Sequence, residues 1–220
     1  MAKLVLYSKT KALINSDATK RINRRLMVMI DAKEPKVGYI ASEHDPDQVF
    51  FKKALEFYDD LGIRSVRCFD LEQDYRVENE EWLFKSDIIH LPSGNTYTFL
   101  KNLRERGLLE KLKRYSDEGG IIVGVSAGVH ILAREINCAR FGDENHARIK
   151  DFTSLGLVDF EMIPHWNRKE GFADEIKAYS KASGKTIYTV EDGEGIVIDG
   201  EQLLLYGHVG IIEDGKCRIR

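Results

Sequence analysis

Residues Gly119 to Ala133 read GGIIVGVSAGVHILA, an apolar strand pattern that runs through a glycine-flanked serine into an apolar helical pattern. A strand without alternating polar residues is typical of a parallel sheet that helices cover on both faces. Ligands of such sheets bind at the carboxyl ends of the strands, and Ser126 follows that end of its strand. The stretch therefore predicts a parallel α/β sheet with Ser126 at its ligand-binding edge.

Strand and helix patterns alternate along the first part of the chain. Asp45 or Ser42 is placed to cap one of the helices, over residues 46–61. Strands separated by helices predict the doubly wound α/β architecture. The strand patterns cover residues 3–7, 36–41, 65–70, 87–91 and 120–125, and the helical patterns cover residues 17–29, 46–61, 78–84, 97–107 and 108–118.

The C-terminal third has a different pattern. A helix over residues 172–182 precedes four short strand patterns, with turn residues at Asp199-Gly200 and Asp214-Gly215 as in hairpins. We expect these strands to form an antiparallel extension on one edge of the sheet. The whole prediction is a three-layer α/β sandwich, a mainly parallel doubly wound sheet with an antiparallel C-terminal extension, in one domain over residues 1–220.

The composition is that of an ordinary globular chain and argues against several kinds of partner. The 220 residues carry a formal net charge of −3 and no basic stripe, so we expect no nucleic acid. The three cysteines lack metal or disulfide spacing, and no Walker or G-x-G-x-x-G loop indicates a nucleotide. No apolar run is long enough to cross a bilayer. We therefore expect a cytoplasmic monomer or homodimer that binds no membrane and needs no metal or cofactor.

The run Gly124-Val125-Ser126-Ala127-Gly128 matches the G-x-S-x-G pattern of a nucleophile elbow. Such a strand-to-helix turn exposes the serine oxygen and aims the next N–H, that of Ala127, at a bound carbonyl. A serine that merely caps the following helix is the alternative. A serine nucleophile needs a base. Among the six histidines His165 stands out, because Pro164 and Trp166 flank it in a loop.

Four segments, in chain order, carry a resemblance to a known family. They are SGNTYTFLKNLRERGL (Ser93 to Leu108), GVSAG (Gly124 to Gly128), IPHW (Ile163 to Trp166) and EDGEGIVIDG (Glu191 to Gly200). The chain resembles the peptidase E (aspartyl dipeptidase) family of serine peptidases, which are relatives of cyanophycinase. The resemblance implies a fold related to class I glutamine amidotransferases, with a serine in place of their elbow cysteine.

The resemblance also implies a catalytic triad. Ser126 would attack the peptide carbonyl, and His165 would take the serine proton and pass one to the leaving amine. A carboxylate would orient the imidazole. Asp192 best matches the position of the family's acid, Glu194 is the second candidate, and Asp143 is the third.

The resemblance assigns the oxyanion hole to the N–H groups of Gly94 and Ala127. The family has another glycine where this chain has Ser93, and serine suits that turn only if its φ stays negative. The implied reaction is hydrolysis of a small peptide, with a possible preference for N-terminal aspartate. A non-catalytic binding module and an esterase-like hydrolase are the alternatives.

Three further residues are candidates for substrate binding. Asn95 and Thr96 either contact the substrate or cap the helix that follows them. Arg168, with Lys169 beside it, either supplies a cation for an acidic substrate side chain or lies in a solvated loop. The sequence leaves both pairs of alternatives open.

Overall fold

The computed structural model describes residues 2–10, 16–73 and 75–219. The strands are β1 Lys3–Tyr7, β2 Lys36–Ala41, β3 Ser65–Asp70, β4 Ile88–Leu91, β5 Ile121–Val125, β6 Glu161–Pro164, β7 Ile187–Val190, β8 Gly195–Asp199, β9 Gln202–Tyr206, β10 Gly210–Glu213 and β11 Lys216–Ile219. The α-helices are α1 Asp17–Met29, α2 Val49–Asp60, α3 Glu80–Phe84, α4 Thr96–Glu105, α5 Leu108–Asp117, α6 Ala127–Leu132 and α7 Ala173–Ser183.

The larger sheet has seven strands in the order β3-β2-β4-β5-β1-β8-β9. The first five strands run parallel. Strands β8 and β9 then add to the β1 edge in antiparallel orientation. The predicted α/β fold class is confirmed, with its parallel sheet and its antiparallel addition. The carboxyl ends of β1, β2, β4 and β5 consequently meet along one edge.

Helices cover both faces of this sheet, as the alternating side chains of β1 demonstrate. Leu4 and Leu6 are fully buried among the side chains of α4, α5 and α6. Val5 and Tyr7, which point the other way, are fully buried among those of α1 and α2. Burying one such side chain contributes about 1.5–3 kcal/mol relative to leaving it exposed. A strand that is apolar at every position is stable only between two layers of helices, which is why β1 and β5 lie inside the sheet.

A second, four-stranded sheet has the order β11-β10-β7-β6. The expectation that all C-terminal strands extend the larger sheet was therefore wrong for residues 186–190 and 210–213, which form β7 and β10. Their partners decide this: β7 pairs with β6 in parallel and with β10 antiparallel. The sequence analysis recognised neither β6 nor β11 as a strand. In the β6–β7 pairing Pro164 is opposite Val190, so the residues after these two strands leave the sheet side by side.

The contacts at the start of α2 show which of the two candidates, Asp45 or Ser42, caps this helix. The Asp45 carboxylate accepts hydrogen bonds from the N–H of Val49 at 3.0 Å and of Phe50 at 2.7 Å. Ser42 instead donates its hydroxyl to the carbonyl of Ser93 at 2.8 Å. Gln48 occupies the N-cap position, but the Asp45 carboxylate supplies the hydrogen bonds to the first N–H groups of α2, while Ser42 ties the end of β2 to the loop after β4. Within the described ranges, no helix combines the length and the apolar character needed to cross a membrane.

Candidate active site

Ser126 occupies a strained turn between β5 and α6, with φ 52° and ψ −106°. Its N–H is held by the carbonyl of Tyr7 at 3.1 Å. A side chain on Gly128 would overlap the Leu91 carbonyl oxygen, and a Cβ on Gly124 would lie 3.0 Å from the Gly128 carbonyl oxygen. The two glycines are therefore required by close backbone packing, and a rigid frame keeps the serine in a backbone conformation that costs about 1–3 kcal/mol.

His165 lies directly after β6 in the left-handed region, at φ 59° and ψ 38°. Its Nε2 is 3.0 Å from Ser126 Oγ. Its backbone N–H donates to Ser8 Oγ at 2.8 Å, and Ser8 is fully buried. The sequence analysis did not identify Ser8. The available signal was its position directly after β1, at the same sheet edge as Ser126.

Asp192 is the carboxylate that meets the other side of the His165 ring. Its Oδ1 pairs with His165 Nδ1, and its Oδ2 accepts a hydrogen bond from the guanidinium of Arg168. Lys9 Nζ is 4.0 Å from the same Oδ2. The Asp192 side chain is 13% exposed, so the carboxylate itself is largely shielded from water, whereas the Arg168 side chain that contacts it is 60% exposed.

The two alternative acids have other partners. The Glu194 carboxylate accepts from the N–H of His208 at 2.8 Å and of Glu191 at 3.3 Å. The Asp143 carboxylate accepts from the N–H of Thr96 at 2.9 Å and from its hydroxyl at 2.5 Å. Neither makes a hydrogen bond to His165 in the described parts of the chain.

The N-terminus of α1 fixes the loop that carries Asp192. Gly193, the next residue, has φ 88°, and its carbonyl accepts hydrogen bonds from Ser16 Oγ and Thr19 Oγ1, both at 2.6 Å. The Ser16 hydroxyl also caps α1 by accepting from the Thr19 N–H. One helix end thus holds the carboxylate loop against the edge of the larger sheet.

Burial and charge keep the His165 ring neutral. Burial is the main cause that lowers its pKa; Asp192 raises the pKa, and the charges of Lys169 and Arg168 lower it further, with a net decrease. Burial by itself would raise the pKa of Asp192. The hydrogen bond with His165 and the charges of Arg168 and Lys9 outweigh burial and lower it. At neutral pH the pair is a neutral imidazole beside an ionised carboxylate, which is the state that can accept a proton.

The loop after β4 brings Gly94 to the same sheet edge, with φ 144°. A side chain there would overlap the Ser42 hydroxyl, so only glycine fits. Ser93 is not among the described residues with positive φ, and serine therefore forms this turn without left-handed strain. In the described ranges, the N–H groups of Gly94 and Ala127 have no hydrogen-bond acceptor. The site thus contains two free backbone donors near Ser126.

Asn95 and Thr96 are engaged with α4. Asn95 Oδ1 accepts from the N–H of Tyr97 and of Thr98, both at 3.1 Å, which makes Asn95 the N-cap. Thr96 is fully buried on Asp143. Capping is thus the role that the contacts of Asn95 describe, whereas Thr96 is the first residue of α4 and donates to Asp143.

The chain was then compared with known proteins. The family model described as "Peptidase family S51" matches residues 4–206. The chain belongs to peptidase family S51. This confirms the family resemblance, and the S51 enzyme is a serine peptidase.

Relatives of this S51 peptidase span most of its length. An uncharacterized peptidase of Listeria monocytogenes is 29% identical over 176 residues, which are 76% of this chain and 84% of the relative. The Drosophila melanogaster protein named "Probable alpha-aspartyl dipeptidase" is 25% identical over 180 residues, 78% of this chain and 71% of the relative. A crystal structure of a candidate peptidase E from Listeria monocytogenes covers 93% of this chain and 97% of its own, with a TM-score of 0.73 and 23% identity. The last likeness shows that the two proteins share a fold.

One cation of this S51 peptidase, Lys169, lies close enough to His165 to affect its pKa. Lys169 is half-buried, and its side-chain ammonium makes no hydrogen bond or ion pair in the described ranges. Burial lowers its pKa, against the opposing effects of Asp143 and Cys138. His130 is also buried nearby, and its pKa falls to about 3 because of burial and of the charges of Lys169 and His165. Arg168, the predicted cation, already pairs with Asp192.

No group of three or more histidine, cysteine, aspartate or glutamate side chains is arranged to hold a metal ion within residues 2–10, 16–73 and 75–219. The S51 site is built instead from a hydroxyl, an imidazole and a carboxylate. Groups of these types can act in nucleophilic and acid–base chemistry.

Proposed function

We propose that this serine peptidase hydrolyses dipeptides through a triad of Ser126, His165 and Asp192. The observation that carries the proposal is the 3.0 Å distance between Ser126 Oγ and His165 Nε2, with Asp192 on the opposite ring nitrogen. A hydroxyl is a weak nucleophile until a base within hydrogen-bond reach takes its proton. The lowered pKa of His165 supports its role as that base, because the ring is unprotonated at neutral pH.

In the proposed reaction Ser126 Oγ adds to the scissile carbonyl as its proton moves to His165 Nε2. Asp192 stabilises the imidazolium that forms and holds the Nδ1 proton towards itself. The free N–H groups of Gly94 and Ala127 are suited to stabilise the tetrahedral oxyanion. His165 then protonates the leaving amine, and water hydrolyses the acyl-serine with the same histidine as base.

We infer that Lys169, rather than Arg168, is the cation for an acidic N-terminal side chain. A half-buried ammonium without a partner is costly, and a substrate carboxylate would neutralise it. Arg168 is already used, because its guanidinium pairs with Asp192. The similarity to a protein named as an alpha-aspartyl dipeptidase supports an aspartate-containing substrate. Lys169 also affects the pKa of His165, which supports a position close to the reacting groups.

The test is hydrolysis of a dipeptide panel that contains Asp-Leu, the nearly isosteric Asn-Leu and Ala-Leu. Wild type should cleave Asp-Leu best, and Ser126→Ala should cleave nothing. Lys169→Met should lose most of the Asp-Leu over Asn-Leu preference, whereas Lys177→Met, a control on an exposed face of α7, should retain it. Equal cleavage of all three dipeptides would refute the preference for an acidic side chain but would leave the peptidase activity standing. Turnover of small esters without turnover of any peptide would identify an esterase, and no turnover at all would favour a binding module.

A further inference from the structure

Glu43 places a carboxylate beside the loop that carries Gly94. It is the second residue after β2, at the carboxyl edge of the larger sheet, and it is half-buried. A Cβ built on Gly94 would lie 3.4 Å from Glu43 Oε1, so the carboxylate adjoins that glycine. In the described parts of the chain, Glu43 makes no hydrogen bond and no ion pair.

The loop around Glu43 is held in place from both sides. The Ser42 hydroxyl donates to the Ser93 carbonyl at 2.8 Å, and Asn102 Nδ2 donates to the Ser42 carbonyl at 3.0 Å. On the other side, His44 Nδ1 pairs with Asp70 at 2.6 Å. The loop is therefore fixed, while the Glu43 carboxylate that it carries has no partner among the described residues.

Three other carboxylates near the site have partners among the described residues. Asp192 pairs with the His165 ring and with Arg168, Asp143 with Thr96, and Glu194 with two backbone N–H groups. A negative charge beside an oxyanion hole opposes the charge that develops in the transition state, because like charges repel. An uncompensated carboxylate at this place is therefore unfavourable for catalysis unless the substrate brings a positive charge to it.

The substrate of a dipeptidase carries such a charge at a fixed position. Its α-nitrogen is bonded to the same Cα as the scissile carbonyl carbon, so the ammonium lies about 3 Å from the carbonyl oxygen. When that oxygen accepts from the Gly94 N–H, a carboxylate beside Gly94 is within reach of the ammonium. We propose that Glu43 binds the N-terminal ammonium and so restricts the enzyme to peptides with a free amino end. This inference rests on the proposed function, because it needs the carbonyl to bind at Gly94.

The test compares a dipeptide with the analogue that lacks only its α-amino group. For Asp-Leu this analogue is succinyl-leucine. Wild type should cleave Asp-Leu far better than succinyl-leucine. Glu43→Gln should lower kcat/KM for Asp-Leu by about 10- to 100-fold, as expected for loss of a charged hydrogen bond, and should leave succinyl-leucine unchanged or improve it. Asp47→Asn, which removes an exposed carboxylate from the same loop, should leave kcat/KM unchanged for both Asp-Leu and succinyl-leucine.

A binding measurement separates recognition from catalysis. Calorimetry with Ser126→Ala should show that Asp-Leu binds more tightly than succinyl-leucine, and that adding Glu43→Gln removes the difference. Wild type that cleaves both compounds equally, or Glu43→Gln that impairs both equally, would overturn the role of Glu43 and leave the proposed function intact. Wild type that cleaves no peptide and is not acylated at Ser126 would overturn the proposed function, and the role of Glu43 with it.

Discussion

Ser126 Oγ and His165 Nε2 lie 3.0 Å apart although 39 positions separate them along the chain. The serine follows β5 of the larger sheet, and the histidine follows β6 of the smaller one. Ser8 joins the two, since it follows β1 and accepts a hydrogen bond from the His165 N–H. The contact between hydroxyl and imidazole is therefore a contact between the edges of two sheets, and the geometry of the site depends on how the sheets pack.

Removal of the Ser126 hydroxyl should abolish turnover without unfolding the protein. Ser126→Ala and Ser126→Gly should both lower kcat by about 10⁴-fold or more, because nothing replaces the attacking oxygen. Ser126→Gly should be the more stable of the two by about 1 kcal/mol, because glycine adopts φ 52° without the strain that alanine retains. Thermal unfolding and steady-state kinetics on both variants check this. Equal stability of the two would argue against stored strain at the elbow.

Three substitutions distinguish the carboxylates. Asp192→Asn should lower kcat by about 10⁴-fold, because the amide can reverse the tautomer of His165. Glu194→Gln and Asp143→Asn should act on stability instead, at a cost of about 1–3 kcal/mol, because each weakens the hydrogen bonds that a carboxylate accepts from backbone N–H groups. The measurements are kcat and the free energy of unfolding for each variant. A kcat loss for Glu194→Gln as large as that for Asp192→Asn would contradict this assignment.

The activity should depend on pH through His165. The ring must be neutral to accept the serine proton, so kcat/KM is present above its pKa and is lost as the pH falls through it. The acid limb is the part of the pH–activity profile in which activity falls as the pH is lowered. Since the net shift lowers the His165 pKa, the midpoint of this limb should lie below the ordinary histidine pKa of about 6.5.

Arg168 provides the matched test of this pH dependence. Arg168→Gln removes a positive charge that lowers the His165 pKa, so the acid limb should move to higher pH. Lys177→Gln, which removes a charge from α7 where Lys177 pairs with Asp174, should leave the limb in place. Movement of the limb to lower pH in Arg168→Gln would contradict the electrostatic account.

The loop after β4 should tolerate a change at Ser93 but not at Gly94. Gly94→Ala should lower kcat by about 10²- to 10³-fold, because the new methyl group would overlap the Ser42 hydroxyl and displace an oxyanion donor. Ser93→Gly should leave kcat essentially unchanged, because Ser93 is already free of left-handed strain. Kinetics on the two variants check both expectations. A large gain in kcat for Ser93→Gly would show that serine impairs the loop.

The larger sheet could be predicted from the sequence because its signals are local. Apolar strands such as β5 require cover on both faces, and glycines 124 and 128 mark the turn that exposes Ser126. The second sheet could not be predicted, because more than twenty residues separate β6 from its partner β7. A short sequence pattern can indicate a strand but not which distant strand it pairs with. For the same reason the sequence analysis placed residues 186–190 on the wrong sheet.

Some side-chain contacts could not be predicted either, because they also join distant segments of the chain. The sequence left Arg168 as either a substrate-binding cation or a solvated loop residue, but the fold pairs it with Asp192, while the Lys169 ammonium has no partner in the described part of the chain. Ser8 and Glu43 carry no motif, and their positions matter only because β1 and β2 end beside the Ser126 turn. Which charges are paired is decided by contacts between distant segments. The family resemblance indicated the contacts among Ser126, His165 and Asp192, whereas the partner of Arg168 was not predictable.

The most direct test of the account is covalent labelling with a small fluorophosphonate, located by mass spectrometry of the digested protein. An activated serine displaces fluoride and gains one phosphonyl group. The account predicts stoichiometric labelling of the peptide that contains Ser126, none in Ser126→Ala, and strongly slowed labelling in His165→Gln. A folded wild-type protein that remains unlabelled at Ser126, or that is labelled equally fast in His165→Gln, would contradict a serine activated by His165.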